Sequence, residues 1–169
     1  DREWVYSSLS HLVMSDQLIN QLGPAFASGR SIFLYGQPGV GKTSVAEALG
    51  SCLPGEIYIP QAIEVGGQII RFFDPVTHVI IEPDQVDHSL QLDLSQKLTY
   101  DPRWKKCRRP VIMVGGELTL DMLELKYDAV SKFYEAPIHL KASNGVFILD
   151  DFGRQRVDPR QLLNRWIIP

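Results

Sequence analysis

Gly36, Gly41, Lys42 and Thr43 stand in the order Gly-x-x-x-x-Gly-Lys-Thr, inside the stretch Ser31–Ser44. This spacing suits a phosphate ligand. Glycines let the backbone curl tightly enough for successive N–H groups to point inward at phosphate oxygens. A helix opening at Lys42 would add its positive N-terminal end. The Lys42 ammonium can reach the outer phosphates of a nucleotide as a point charge, and the Thr43 hydroxyl can ligate Mg²⁺. The whole loop (Gly36, Pro38, Gly39, Val40, Gly41, Lys42, Thr43 and Ser44) is therefore assigned to a nucleoside triphosphate, with Mg²⁺ as its expected metal. An apolar run, Ile32–Tyr35, precedes the loop and a helical pattern follows it. That context separates a phosphate site from a chance Gly-rich turn.

A second acidic feature lies far along the chain. Val146-Phe147-Ile148-Leu149 runs directly into Asp150-Asp151, four apolar residues ending in two carboxylates. A buried strand reads this way, and open α/β sheets place ligands at the C-terminal ends of their strands. In a phosphate-loop protein the first acid, Asp150, would hold the Mg²⁺ shell, and the second, Asp151, would orient and deprotonate the attacking water. The catalytic assignments are thus Lys42 and Asp151, and the metal assignments Thr43 and Asp150.

These residues need elements to hold them. Ser15 is a suitable N-cap for a helix over about 16–27, and Gly29 ends it. A strand is expected over 31–35 and a helix from Lys42 to about Cys52, stopped by Pro54-Gly55. Gly66-Gly67 predicts a hairpin between Ala62–Val65 and Gln68–Phe73, with a second turn at Asp74-Pro75. Residues 84–106 are polar and read as one short helix and a loop. Val111–Val114 is a buried-strand candidate, Thr119 predicts a helix to about Tyr127, and 133–141 reads as β-rich. Asn144-Gly145 is a turn before strand Val146–Leu149, and Asp158-Pro159 with Gln161 marks a last helix start. Strands alternating with helices around a phosphate loop predict a parallel α/β sheet, flanked by helices and carrying a hairpin insertion near 57–81.

The chain has 169 residues, 44% hydrophobic and 22% charged, with a formal net charge of −3. This is one domain's worth of ordinary globular composition. The charge gives no general attraction to nucleic acid, which is not expected as a partner. No run approaches a membrane span. Cys52 and Cys107 lack any CxxC or Cys/His pairing, so free thiols in a reducing compartment are expected, with cytoplasm the default.

At Asp150-Asp151 the chain resembles the AAA+ ATPases, whose second motif is an apolar strand ending in Asp-Glu. Phe133-Tyr134-Glu135-Ala136, followed by Ser143-Asn144-Gly145 and the strand, is similar to the MoxR, magnesium-chelatase and enhancer-binding branches. The tail Asp150-Asp151-Phe152-Gly153-Arg154-Gln155, then Pro159-Arg160 and Leu162-Leu163-Asn164-Arg165-Trp166, resembles a group of bacterial chaperone-like ATPases associated with Flp-type pilus assembly, as do Arg108-Arg109-Pro110 and Gly115–Leu120. The resemblance implies a P-loop NTPase core over residues 1–169, ATP as its nucleotide, a homo-oligomeric ring and a protein client that is remodelled or assembled. It also implies an adenine contact at Leu12, Val13 and Met14. Sensor-1 strand, arginine finger and helical lid would follow the second motif and are not identified before Pro169. The chain is therefore expected to be a truncated core that binds phosphates and hydrolyses slowly.

Other residues carry plainer readings. Arg103, Lys105, Lys106, Arg108 and Arg109 around Trp104 read first as a solvated loop or subunit face, and only second as a nucleic-acid contact. Arg154, Arg156, Arg160 and Arg165 could each reach a neighbour's phosphate in a ring, but the resemblance places the finger later. His78, Asp74 and His88 have no metal-ligand spacing. Glu117, after a buried-strand candidate, could polarise the catalytic region, but reads more plainly as a helix-start carboxylate. A phosphotransferase acting on a metabolite, or a nucleotide-binding switch without turnover, would use the same loop and are the competing functions.

Overall fold

The computed structural model describes residues 14–81 and 101–167. The chain divides into two compact units, Asp1–Pro54 and Gly55–Pro169, each described here by itself. Val13 and His88, and most of the polar stretch 84–106, lie outside the described residues.

Among its described residues the first unit carries two helices, α1 (Asp16–Ala27) and α2 (Lys42–Ser51). The Ser15 hydroxyl caps α1, accepting the Leu18 N–H at 3.3 Å, as its residue type predicts. Gly29 leaves the helix at φ 65°, a left-handed turn that suits a residue without a Cβ. Leu22 from α1 packs with Ala48, Leu49 and Cys52, and Leu34 and Val45 close over them. The expected strand 31–35 is not one: among the described residues nothing pairs with it in a ladder. Leu34 alone turns inward, and Phe33 and Tyr35 are largely exposed.

The second unit is mixed α/β, built from small sheets that are mostly antiparallel. Strands β1 (Glu56–Pro60) and β4 (Trp104–Arg108) pair antiparallel. Strands β2 (Ala62–Val65) and β3 (Gln68–Arg71) form the predicted hairpin, and Gly66 and Gly67 both have positive φ, 59° and 80°. That is the geometry a two-residue hairpin with native twist requires. Strand β3 pairs in parallel with β7 (Phe133–Glu135), and β7 pairs antiparallel with β6 (Lys126–Asp128). Strands β5 (Val111–Val114) and β8 (Val146–Leu149) form a parallel pair. Parallel pairing is therefore present, but within separate small sheets rather than one broad sheet.

Three expectations are corrected here. Trp104–Arg108 is a strand, not loop or helix. The helix expected from Thr119 reduces to a 3₁₀ turn, Leu120–Leu123, because residues 126–128 are drawn into β6 and both Leu118 and Leu123 are buried beneath the β5–β8 pair. The stretch 133–141 stops being β at Ala136, where Pro137 opens a short helix, α3 (Ile138–Lys141). The final helix, α4 (Pro159–Ile167), starts as predicted, with Asp158 Oδ1 accepting the Arg160 N–H at 2.8 Å.

Two cores are formed among the described residues of this unit. Ile112, Val114, Leu118, Leu123, Val157 and Leu162 form one, and Ile59, Ile70, Phe72, Cys107 and Ala136 the other. Cys52 and Cys107 are both buried free thiols; burial pushes the Cys107 thiol up, against the opposing charge of Lys105.

Gly145 is held by a close approach. The Val146 N–H donates to the Pro110 carbonyl at 2.9 Å. A Cβ at 145 would overlap that carbonyl oxygen and meet the Pro110 ring carbons at 2.8 Å. Gly145→Ala is expected to destabilise the chain by about 1–3 kcal/mol through forced displacement of this crossing, read as a lowered urea midpoint.

Candidate functional site

The phosphate loop runs from Gly36 into α2. Leu34 anchors its entry in the α1–α2 core and Ala48 and Leu49 anchor the helix behind it, so the loop spans two fixed points. Gly39 and Gly41 both sit at φ 80°, a region open to glycine and strained for other types. A Cβ built at either would have no heavy atom within 4 Å, so the surface of the loop is open. Gly41 is the N-cap of α2 and has no side chain to cap it. The first intrahelical bond runs from the Val45 N–H to the Gly41 carbonyl, 3.0 Å. The first turn of the helix carries the positive end of its dipole. Lys42 folds back across the loop, its Nζ donating to the Gly36 and Gln37 carbonyls at 3.1 and 2.8 Å. Thr43 and Ser44 lie in the first turn of the same helix.

The acidic pair lies at the C-terminal end of β8, in the second unit. Its parallel neighbour β5 keeps register through Val114↔Leu149, and the Asp150 N–H extends the ladder to the Val114 carbonyl at 2.8 Å. Asp151 then turns sharply, at φ 50°, a left-handed conformation that Asp adopts at modest cost. Its N–H donates to Asp150 Oδ1 at 3.0 Å. Gln155 clamps the turn: its Nε2 donates to the Asp150 carbonyl at 2.7 Å and the Asp151 carbonyl at 3.3 Å, while its Oε1 accepts the Gly153 N–H at 2.7 Å. Arg154 approaches Asp151 at 3.6 Å, both side chains largely exposed, so the pair adds little stability.

Sequence reasoning did not assign Gln155 a role. Its signal is chemical: an amide carries both a donor and an acceptor, and a Gln a few residues past a strand-end acid can close such a turn. Glu117 is also corrected. It is not a helix-start group; it folds over the turn after β5 and accepts the Gly115 N–H at 2.9 Å. Bonds from the Gly115 and its own N–H hold its carboxyl below the ordinary glutamate value.

The structure brings Asp150 and Asp151 together, and separately gathers the loop residues from Gly36 to Ser44. Among the described residues, no group of three or more His, Cys, Asp or Glu side chains is placed to hold a metal ion. Among the described residues no helix is long and apolar enough to cross a membrane.

Two further candidates, Arg165 and His78, have structural contacts. Arg165 pairs with Glu124. His78 is buried, with Nδ1 accepting the Asp74 N–H at 3.0 Å and Nε2 bonded to the Lys141 carbonyl at 2.8 Å. Lys141 in turn bonds Asp74 at 2.7 Å and lies 3.7 Å from Glu135, which pairs with Arg71. Burial pushes the Asp74 carboxyl up, but the Lys141 bond, the Val76 N–H and the nearby positive charge outweigh it and leave it below the ordinary aspartate value. A depressed folded value stabilises above the unfolded value, about 4, and that stability is lost as pH falls through the folded value. Lys141→Met is therefore expected to flatten the loss of stability below about pH 4, measured as urea midpoints across an acid series in variant and parent.

No protein-family model matches the chain, and no curated protein matches its sequence.

Proposed function

We propose that the chain binds Mg-ATP through the loop Gly36–Ser44 and is an AAA+-like ATPase that remodels or assembles a partner protein complex. The observation that carries this reading is the Gly-x-x-x-x-Gly-Lys-Thr loop, with Gly39 and Gly41 in left-handed conformations, opening directly into α2. Lys42 and the N–H groups of the loop would hold the phosphates. Thr43 and Asp150 would hold Mg²⁺, and Asp151 would accept the proton of the attacking water. When bound, Mg²⁺ neutralises charge developing on the transferred phosphoryl group. The same reading makes the core a P-loop NTPase fold, the working form a homo-oligomeric ring and the location cytoplasmic. The residues from Phe133 to Trp166 support it by their resemblance to the chaperone-like branch.

Calorimetric titration of the chain with ATP, in the presence and absence of Mg²⁺, tests the reading. Saturable binding at one site per chain, tightened by Mg²⁺ and competed by ADP, is the expected result. No heat of binding with either nucleotide would overturn it.

A further inference from the structure

The register of the β1–β4 pair divides one segment between two faces. Ile59 and Cys107 are buried, at 2% and 0% exposure, and mark the inner face. Side chains alternate along a strand, so Glu56, Tyr58, Trp104, Lys106 and Arg108 belong to the outer one. Tyr58 is opposite Lys106 and Trp104 is opposite Pro60. The two aromatic residues are therefore diagonal neighbours on one face, about 7–8 Å apart in an antiparallel pair. Tyr58 is 49% and Trp104 41% exposed, although rings of this size contribute most when buried.

The charge of this face runs against that of the chain. The whole sequence carries −3, yet Lys106 and Arg108 lie on the outer face and Arg103 directly precedes β4, while Lys105 is opposite Ile59 on the inner face. Two carboxylates moderate them: Asp101 bonds Arg103 through its guanidinium, at 2.6 Å to NH2, and Glu56 pairs with Lys106. Arg108 is exposed on the same face as the two aromatic rings.

We propose that this outer face of β1 and β4 binds single-stranded nucleic acid. Consecutive bases would stack on Trp104 and Tyr58, and Arg108 and Lys106 would follow the phosphates, Lys106 exchanging its Glu56 partner for one of them. Bases of any sequence present a flat π-face to such rings, and cations interleaved with aromatics on a sheet are a stacking platform with an electrostatic track. An acidic polypeptide would satisfy the cations but would leave the diagonal pair of rings unused. The proposal is independent of the phosphate loop.

The test is fluorescence anisotropy of a labelled oligothymidylate and of a matched duplex, titrated with the chain between about 50 and 200 mM salt. The expected result is tighter binding to the single strand. Trp104→Ala and Tyr58→Ala should each weaken it about tenfold, and Tyr58→Phe should keep it, since stacking needs the ring and not the hydroxyl. Arg108→Ala should lower the slope of log affinity against log salt by about 0.7, the release expected for one phosphate contact on a single strand. Circular dichroism confirms that each variant is folded; if Trp104→Ala is not, the Tyr58 and Arg108 variants decide. Absence of binding at the lowest salt would overturn the proposal. So would equal affinity for duplex with no effect of the aromatic variants, which is a nonspecific ionic contact. Polyglutamate competing as well as the oligonucleotide would overturn it in favour of an acidic protein partner.

Discussion

Lys42→Ala is expected to weaken Mg-ATP binding about 100-fold while leaving the fold intact, because a hydrogen bond to a charged group contributes roughly 1.5–3 kcal/mol where water is excluded. The ammonium now bonds the Gly36 and Gln37 carbonyls and is directed at the loop rather than the core. The packing behind it is made by Leu22, Ala48, Leu49 and Cys52, none of which the substitution touches. Far-ultraviolet circular dichroism should therefore superimpose on that of the parent, while calorimetry with Mg²⁺ shows the loss. Equal affinity in both proteins would rule out the phosphate-loop assignment.

Asp151→Asn is expected to retain Mg-ATP and lower turnover by about 10²–10⁴-fold, the usual contribution of a positioned general base. The amide can keep the shape of the turn, since the main-chain N–H and carbonyl of residue 151 make its recorded bonds to Asp150, Arg154 and Gln155. Asp150→Ala should act differently, reducing the dependence of binding on Mg²⁺. Single-turnover hydrolysis and Mg²⁺ titrations of both variants separate the two roles. If Asp151→Asn lost binding and Asp150→Ala lost only turnover, the assignments would be exchanged.

Features set by local chemistry were legible in the sequence. The Ser15 and Asp158 caps, the Gly66-Gly67 hairpin and the Asn144 turn at φ 61° all follow from short-range rules, in which one side chain or one φ angle decides the outcome. Features set by distant partners were not. Strand β4 is Trp-Lys-Lys-Cys-Arg, a polar run whose single fully buried position, Cys107, gives almost no period to read. It is a strand because β1 lies beside it on one edge and Val79–Ile81 bond it on the other. Tyr127 reads as the end of a helix until it is paired with Tyr134 across β6 and β7. The stretch 31–35 shows the reverse: its apolarity predicts a strand, but a ladder needs a second chain segment. The phosphate loop and the acidic strand end were each legible as motifs for the same reason as the caps. The Gln155 clamp was not, because it depends on a turn that only the fold reveals.

The unstaggered register of β5 and β8 has a practical consequence for transplanting the acidic turn into another scaffold. The chain leaves both strands at the same level, and Asp150 stands on the Val114 carbonyl. A Cβ added at Gly116 would come within 3.3 Å of the Arg154 carbonyl oxygen. Residues 115–117 and 150–155 are therefore footing and superstructure of a single piece. A graft carrying only Asp150–Gln155 would arrive without the surface it rests on, and its carboxylates would point according to the host's neighbouring loop rather than their own.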